Sequence, residues 1–408
     1  MRSSVGSSNH GDLMMKRRCG LSAAALCVCL AWPAIASAAD AASAPDPKRL
    51  AEMARLENDP EIRRQSTEWN KASNEAVRQH LRSVAASGDA GGLLAAAMLW
   101  QTFDEEWKAK GAASSSQASA PVQEARAWFD AARAVRPLDV RVAWVEAKDC
   151  SFLSDACDSE GALRFLLQAE PDNAAVHLMA LAAADKRGDR KAVDAYWRSA
   201  AQSARFDAHM LDIGRLLHST MRAVTWPQLP SRLAEAMGLG FGLGRPATSD
   251  DVADVGALAM ATATLTPGYM QIANGCKSEA VLSLPTRESE CRAIMALLAE
   301  DRSTVISQMV ALPVLVRLSG DTDAGKAWRE RLRQLHWVYE NQIHNMPLFG
   351  PGTPTPSEYM TWFMTEGELP AMERLLELRG KPVQAPVGWL PRTERYRALV
   401  TTGRDPQA

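Results

Sequence analysis

The sequence predicts an all-α protein in which antiparallel helix pairs stack into a solenoid. Pro137 and Pro171 each follow a stretch with the apolar spacing of a helix. Two residues after each proline stands a short polar side chain, Asp139 or Asn173, and another helical pattern follows. This layout repeats with a period of about 34 residues, which is typical of repeated helix-turn-helix units. No stretch of useful length alternates apolar and polar residues as a half-buried β-strand does.

Residues 1–38 have the layout of a secretory signal peptide. Residues 16–18 are basic, residues 21–35 are mostly apolar, and residues 36–38 offer a small-residue cleavage site. The apolar run is shorter than the roughly 20 residues that a membrane-spanning helix needs. We therefore expect an exported protein, most simply a periplasmic one, that is not held in a membrane after cleavage. Residues 39–47 are rich in Ala, Ser and Pro and are predicted to be a disordered tether.

Residues 48–224 are predicted to form an N-terminal segment of helical repeats. Along residues 121–136, apolar side chains recur at helical spacing and define one buried face. Asn173 suits the N-cap of a helix over 174–187, and Gly188 suits the turn that follows it. The helices predicted in this segment span residues 60–87, 91–110, 121–136, 140–148, 159–170, 174–187 and 207–222.

Residues 225–249 are predicted to break the helical pattern. They hold three prolines, and four glycines stand at every second position from Gly238 to Gly244. Such a stretch favours a kink or a subdomain boundary. A dinucleotide loop needs G-x-G-x-x-G between a strand and a helix. Because the spacing here is different and no strand precedes it, we do not interpret this stretch as a nucleotide site.

Residues 250–408 are predicted to form a C-terminal helical segment. Ser249 suits the N-cap of its first helix, and Pro313 is expected to kink or split a later one. The stretch 344–364 carries four prolines and several aromatic residues, and much of it is predicted to be an extended loop. This loop would be either a lid or peptide-docking edge, or a strap over the end of the solenoid. The helices predicted here span residues 250–264, 288–300, 303–319, 322–343, 357–365 and 368–380.

Four cysteines follow the predicted signal peptide, namely Cys150, Cys157, Cys276 and Cys291. An even number of cysteines in an oxidising compartment favours disulfides, with free thiols as the alternative. Closure of the shortest loops favours the pairs Cys150–Cys157 and Cys276–Cys291 among the three possible pairings. The short C-x2-C spacings of many metal sites are absent from the sequence.

The repeated unit resembles tetratricopeptide-type repeats. Those repeats place a glycine in the turn between paired helices and a proline at the end of the second helix. Gly188 stands at the turn position here, and Pro137 and Pro171 stand at the closing position. The resemblance covers residues 121–207, and Arg205 stands where a third closing proline would be expected. As a whole the chain looks most like exported helical-repeat proteins of proteobacteria, and that resemblance implies no activity.

The sequence shows no pattern that carries a known chemistry. Its histidines form neither H-E-x-x-H nor H-x-H, and no G-x-S-x-G is present. No catalytic, cofactor-binding or metal-binding residue is therefore predicted, and His177 is expected to be a buried core residue. The chain has 46 basic and 48 acidic residues without a basic stripe, so nucleic acid is not an expected partner.

These observations predict an exported, non-catalytic interaction scaffold that binds a protein or peptide on a concave helical surface. An adaptor within a secretion or toxin–immunity system would have the same sequence features. The alternative is a hydrolase-like cell-envelope enzyme whose site residues come together from distant parts of the chain. An enzyme should have a deep cleft with convergent charged groups of shifted pKa. A scaffold should have a broad groove lined by exposed arginine, asparagine or aromatic side chains.

Overall fold

Helices form the secondary structure of the part of the chain that the computed structural model describes, residues 47–102, 120–149, 156–264, 269–343, 349 and 352–406. The other backbone pairing there is an isolated β-bridge between Asn173 and Arg205. The predicted all-α class is therefore confirmed, and the predicted signal peptide lies outside the described residues. The helices up to residue 222 are α1 (Pro47–Glu57), α2 (Pro60–Ala85), α3 (Ala90–Thr102), α4 (Ala120–Ala134), α5 (Val140–Asp149), α6 (Ser159–Ala169), α7 (Ala174–Lys186), α8 (Arg190–Gln202) and α9 (Met210–Arg222). The later helices are α10 (Ser231–Phe241), α11 (Ser249–Thr264), α12 (Tyr269–Gly275), α13 (Ser278–Ser283), α14 (Arg287–Glu300), α15 (Val305–Ser319), α16 (Asp323–Ile343), α17 (Pro356–Glu366), α18 (Glu368–Leu378) and α19 (Glu394–Thr402).

The 34-residue period of the sequence also appears in the structure, as a side-chain to backbone hydrogen bond that recurs at the same interval. Asn173 and Asp207 lie 34 residues apart, and Asp139 precedes Asn173 by the same interval. The side-chain oxygen of each accepts a hydrogen bond from the backbone N–H two residues further on, at 2.8, 3.1 and 2.8 Å in chain order. Such a bond satisfies a backbone donor at the start of a helix or turn. The third member of the series, Asp207, was not predicted to belong to it.

Asn173 also joins one copy of the unit to the next. Its Nδ2 donates to the backbone carbonyl of Asp207 at 2.9 Å, and its Oδ1 accepts from the backbone N–H of Asp207 at 3.0 Å. A further bond runs from Nδ2 to the Glu170 carboxylate at 2.8 Å. Together with the cap of α7, the buried amide uses both of its hydrogens and both of its oxygen lone pairs.

The helices pair as the sequence layout predicts, and they also make contacts outside these pairs. α5 packs against α6, and α7 packs against α8, with Gly188 in the left-handed conformation between the latter two. In addition, α3 contacts α9, α8 contacts α14, and α11 contacts α17. In a solenoid each repeat contacts only its neighbours. A solenoid made of the whole chain therefore remains a prediction.

The apolar core consists of two clusters, and α7 contributes to both. Ala175, Val176 and Ala180 belong to the first cluster, whereas Leu178 and Leu181 belong to the second. A helix that is buried on opposite sides needs apolar residues all round rather than one apolar stripe. The two clusters do not follow the predicted segments 48–224 and 250–408, because helices from both segments contribute to each.

Within the segment 225–249, residues 231–241 form the helix α10, which the sequence analysis did not predict. α10 packs against α1 and α2. Gly242 ends it in the left-handed conformation, with φ of 79°. A Cβ at Gly238 would lie 2.1 Å from the carbonyl oxygen of Arg245, so the returning chain requires glycine there. Gly238 and Gly240 therefore lie in the last turns of a packed helix that Gly242 ends, and part of the predicted break is helical.

The Sγ atoms of Cys276 and Cys291 lie 2.16 Å apart, which is a disulfide distance, so this predicted pair is present. Cys157 is described, but its predicted partner Cys150 lies outside the described residues, and their pairing stays a prediction. In the stretch 344–364, the side chains of Phe349, Tyr359 and Phe363 are buried, and that of Trp362 is half-buried. They pack in the first core cluster, which favours a structural role over a lid.

Two other predictions concern helix limits. α15 runs unbroken through Pro313, so that proline does not split it. α9 begins at Met210 rather than at residue 207, because Asp207 accepts the backbone bond described above and His209 is left-handed with φ of 53°. His177, predicted to be a core residue, is buried, and its Nε2 lies 2.8 Å from the carbonyl oxygen of Pro171.

Replacing Asn173 with alanine should destabilise the protein strongly. The change removes a helix cap and leaves the backbone N–H and C=O of the partly buried Asp207 without their side-chain partners. We expect the free energy of unfolding to fall by about 2–4 kcal/mol, measured by urea denaturation. The control is Asn70→Ala, since Asn70 is half-buried and makes one bond, to Ser66 at 3.2 Å. Its loss should cost less than about 1 kcal/mol, and an equal effect of the two changes would contradict the assigned role.

Candidate functional site

An open groove of about 760 Å³ lies where the start of α5 and the exposed side of α9 come together. It is bordered by two copies of the repeated cap motif, at residues 139–141 and 207–209. Most of its lining side chains are charged. The lining residues are Asp139, Val140, Arg141, Glu170, His209, Asp212, Arg215, Leu216 and Ser219.

His209 forms the buried floor of the groove. Its imidazole is 5% exposed, and its Nε2 lies 2.9 Å from Oε2 of Glu170. The ring meets Trp144 edge-on with 5.0 Å between centroids, and the backbone N–H is held by Asp207 at 2.8 Å. The left-handed backbone of this residue is uncommon outside glycine, although histidine, asparagine and aspartate adopt it more often than other residues. The surrounding contacts therefore fix both the backbone and the ring.

Glu170 is the acceptor at the centre of the site. Burial alone would raise the pKa of its carboxyl group, but hydrogen bonds from Asn173, His209 and Arg205 outweigh burial and lower that pKa. Arg205 lies 3.1 Å from Oε1, the oxygen that His209 does not contact. Glu170 is therefore suited to hold its neighbours in place and poorly suited to donate a proton near neutral pH.

Two arginines form the charged walls of the groove. Arg141 binds Asp139 with two bonds, Nη2 to Oδ2 at 2.6 Å and Nε to Oδ1 at 3.0 Å, which lower the pKa of Asp139. On the facing wall, Arg215 binds Asp212 and donates to the carbonyl oxygen of Met364 at 2.9 Å. The side chains of Arg141 and Arg215 are 33% and 47% exposed, so both guanidinium groups reach solvent.

Among the described residues, one group of side chains has the composition and proximity to hold a metal ion. Asp207, His209 and Asp212 each offer one ligand atom, and these atoms all lie within 4.8 Å of one another. This D-x-H-x-x-D pattern was not predicted from the sequence to have a role. The position of Asp207, one repeat period after Asn173, was the signal that could have identified it.

A second polar cluster lies beneath the start of α15. The hydroxyl of Tyr269 is 2.7 Å from that of Ser307, which donates to Asp301. Glu368 accepts bonds from the Thr304 hydroxyl at 3.0 Å and the Val305 N–H at 2.8 Å. Burial raises the pKa of both Asp301 and Glu368, and nearby negative charge acts on the pKa of each in the same direction.

Comparisons with protein-family models, with curated proteins and with solved structures find no match to this chain. The resemblance to tetratricopeptide-type proteins therefore stays a prediction. None of the helices among the described residues has both the length and the apolar character that crossing a bilayer requires.

The raised pKa of Glu368 has a defined effect on stability. Between its ordinary value of about 4.3 and the raised value, the folded chain binds more protons than the unfolded chain. The contribution of Glu368 to the free energy of unfolding should therefore fall as pH rises through that window. Glu368→Gln removes the titration and keeps an oxygen that accepts the bonds from Thr304 and Val305. Relative to the unsubstituted chain, the free energy of unfolding of this variant, measured by urea denaturation, should increase from about pH 4 to about pH 7.

The matched control is Glu366→Gln, because Glu366 is an exposed carboxylate on the preceding helix and pairs with Arg374 at 2.8 Å. This variant should keep the pH dependence of the unsubstituted chain. Identical pH dependence for the Glu368 variant and the unsubstituted chain would show that Glu368 does not contribute.

Proposed function

We propose that this chain is an exported, periplasmic protein-interaction scaffold without catalysis of its own, and that its partner binds in the groove beside α9. The observation that carries the proposal is the form of the groove. It is open to solvent, and its walls are arginine side chains that carboxylates already hold in place. Fixed side chains lose little conformational entropy when a partner binds.

The arginines of the groove retain binding capacity. A guanidinium group carries five N–H donors, and the bonds described for Arg141 and Arg215 use only some of them. Their partners Asp139 and Asp212 also line the groove, and Val140 and Leu216 provide apolar surface between the charges. This pattern favours a protein segment with both acidic and basic side chains, because each of its charges would meet an opposite charge.

Export and the repeat architecture belong to the same proposal. The disulfide between Cys276 and Cys291 supports an oxidising compartment. The cap that recurs with the repeat period supports a tetratricopeptide-like stack over residues 121–207. Such stacks present extended surfaces that suit protein partners. The link from fold to function here is an analogy, so the groove is the part to be tested.

A hydrolase-like enzyme is the second candidate, and one observation favours it. Asp301 and Glu368 are two neighbouring carboxyl groups with raised pKa, as an acid catalyst requires. However, Ser307 beside Asp301 is fully buried, and Glu368 accepts the backbone N–H at the start of α15. These contacts suit a structural role in which Glu368 caps the start of α15. We therefore favour the scaffold.

Photo-crosslinking in intact cells of the native host tests the scaffold. Ser219 is exposed and lines the groove, so a photoreactive amino acid placed there should capture a partner. We expect one reproducible crosslinked protein, identified by mass spectrometry. Combining this with Arg141→Ala and Arg215→Ala should reduce its yield at least several-fold, because the partner would lose its charged contacts.

The matched position for the probe is Ser83, an exposed serine on α2 that does not line the groove. The matched substitution is Arg64→Ala, since Arg64 also pairs with carboxylates, those of Glu61 and Glu68, on an exposed helix surface. The Arg64→Ala change should leave capture from Ser219 unchanged. A probe at Ser83 should not yield the same crosslinked product. Failure to capture any protein from Ser219, or equal capture from Ser83, would overturn the proposal.

A further inference from the structure

We propose that Asp207, His209 and Asp212 form a binding site for Zn²⁺ at the groove, with water completing the coordination. His209 would bind through Nδ1, and each aspartate would supply one carboxylate oxygen. The inference does not depend on the scaffold function, since an ion could bind whether or not a protein partner does.

The two ring nitrogens of His209 have different surroundings, which support a metal ion at Nδ1. Oε2 of Glu170 faces Nε2 at 2.9 Å, and Glu170 already accepts bonds from Asn173 and Arg205. A carboxylate in this position accepts, so Nε2 carries the hydrogen and a neutral ring has its lone pair on Nδ1. Metal-bound histidines in proteins have the same arrangement, in which a carboxylate holds the nitrogen opposite the metal.

Nδ1 of this buried ring has no hydrogen-bond partner among the described residues. The nearest carboxylate oxygen, Oδ2 of Asp212, lies 3.7 Å away, which is too far for a hydrogen bond. Nδ1 of the neutral ring and Oδ2 of Asp212 both offer lone pairs and face each other, and the His209 residue is only 5% exposed. A cation bound between Nδ1 and Oδ2 would remove this repulsion.

The distances suit a metal ion. Zn²⁺ binds histidine nitrogen and carboxylate oxygen at about 2.0–2.2 Å, so two tetrahedral ligands stand about 3.4 Å apart. The 3.7 Å between Nδ1 and Oδ2 is close to this value. A carboxylate oxygen of Asp207 lies within 4.8 Å of the other two ligand atoms, and the Asp207 side chain is partly exposed. One nitrogen and two oxygen ligands suit Zn²⁺ better than the all-oxygen sites of Mg²⁺ or Ca²⁺.

The local charge also favours a divalent cation. The carboxylates around the site outnumber the guanidinium groups by five to three. Binding Zn²⁺ would balance this excess of two negative charges. The carboxylates are Asp139, Glu170, Asp172, Asp207 and Asp212, and the guanidinium groups are Arg141, Arg205 and Arg215.

Isothermal titration of the untagged, exported chain with Zn²⁺ tests the site. We expect one ion per chain, and the same site should give Co²⁺ the absorption bands of tetrahedral coordination. His209→Asn and Asp212→Asn should weaken binding at least 10-fold, and Glu170→Gln about 10–100-fold, because the ring loses its orienting carboxylate. Asparagine tolerates the left-handed backbone at residue 209, so this variant should remain folded, as checked by circular dichroism.

Two matched variants measure adventitious binding. His80→Asn removes a histidine from α2, and Asp323→Asn removes an exposed carboxylate at the start of α16. Both should bind Zn²⁺ as the unsubstituted chain does. Absence of Zn²⁺ binding would overturn the proposal. Equal affinity in His209→Asn and the unsubstituted chain would overturn it as well, since the ion would then be held elsewhere.

Discussion

The side-chain amide of Asn173 is the interaction on which the rest of the structure depends. It is fully buried and makes four hydrogen bonds, which cap α7, hold the backbone of Asp207 and contact Glu170. α7 in turn lies between both core clusters, so its start fixes the position of apolar side chains on two sides. A buried polar group with every bond satisfied specifies one geometry, because any displacement leaves a donor or an acceptor unpaired.

The same amide connects the repeat to the groove. From Asn173 the bonds pass to Glu170, and from Glu170 to His209 and Arg205. The imidazole position is therefore set by the contact between two copies of the repeated unit rather than by α9 alone. Such support from a second layer of contacts is what holds a binding side chain in one orientation.

Local signals made most of the helices and one cap predictable from the sequence. The position of Asn173 before a helical pattern predicted a cap, and loop length predicted the disulfide between Cys276 and Cys291. Both features depend on residues that are close in the chain. Contacts between distant helices carry no such local signal, so the two core clusters and the packing of α10 were not predicted. The groove was missed for the same reason, because Asp139, Glu170 and Asp212 meet only in the folded chain.

The groove lies where the third copy of the repeat departs from the first two. α5 and α7 begin one repeat period apart, at Val140 and Ala174, but α9 begins two residues after the position that this period requires. The extra residues place His209 in the left-handed conformation with its ring against Trp144. In place of a closing proline, Arg205 supplies a charge that a proline could not, and it binds Glu170 and Asp207. A regular third copy would continue the repeat without these groups, so the departure itself creates the charged groove.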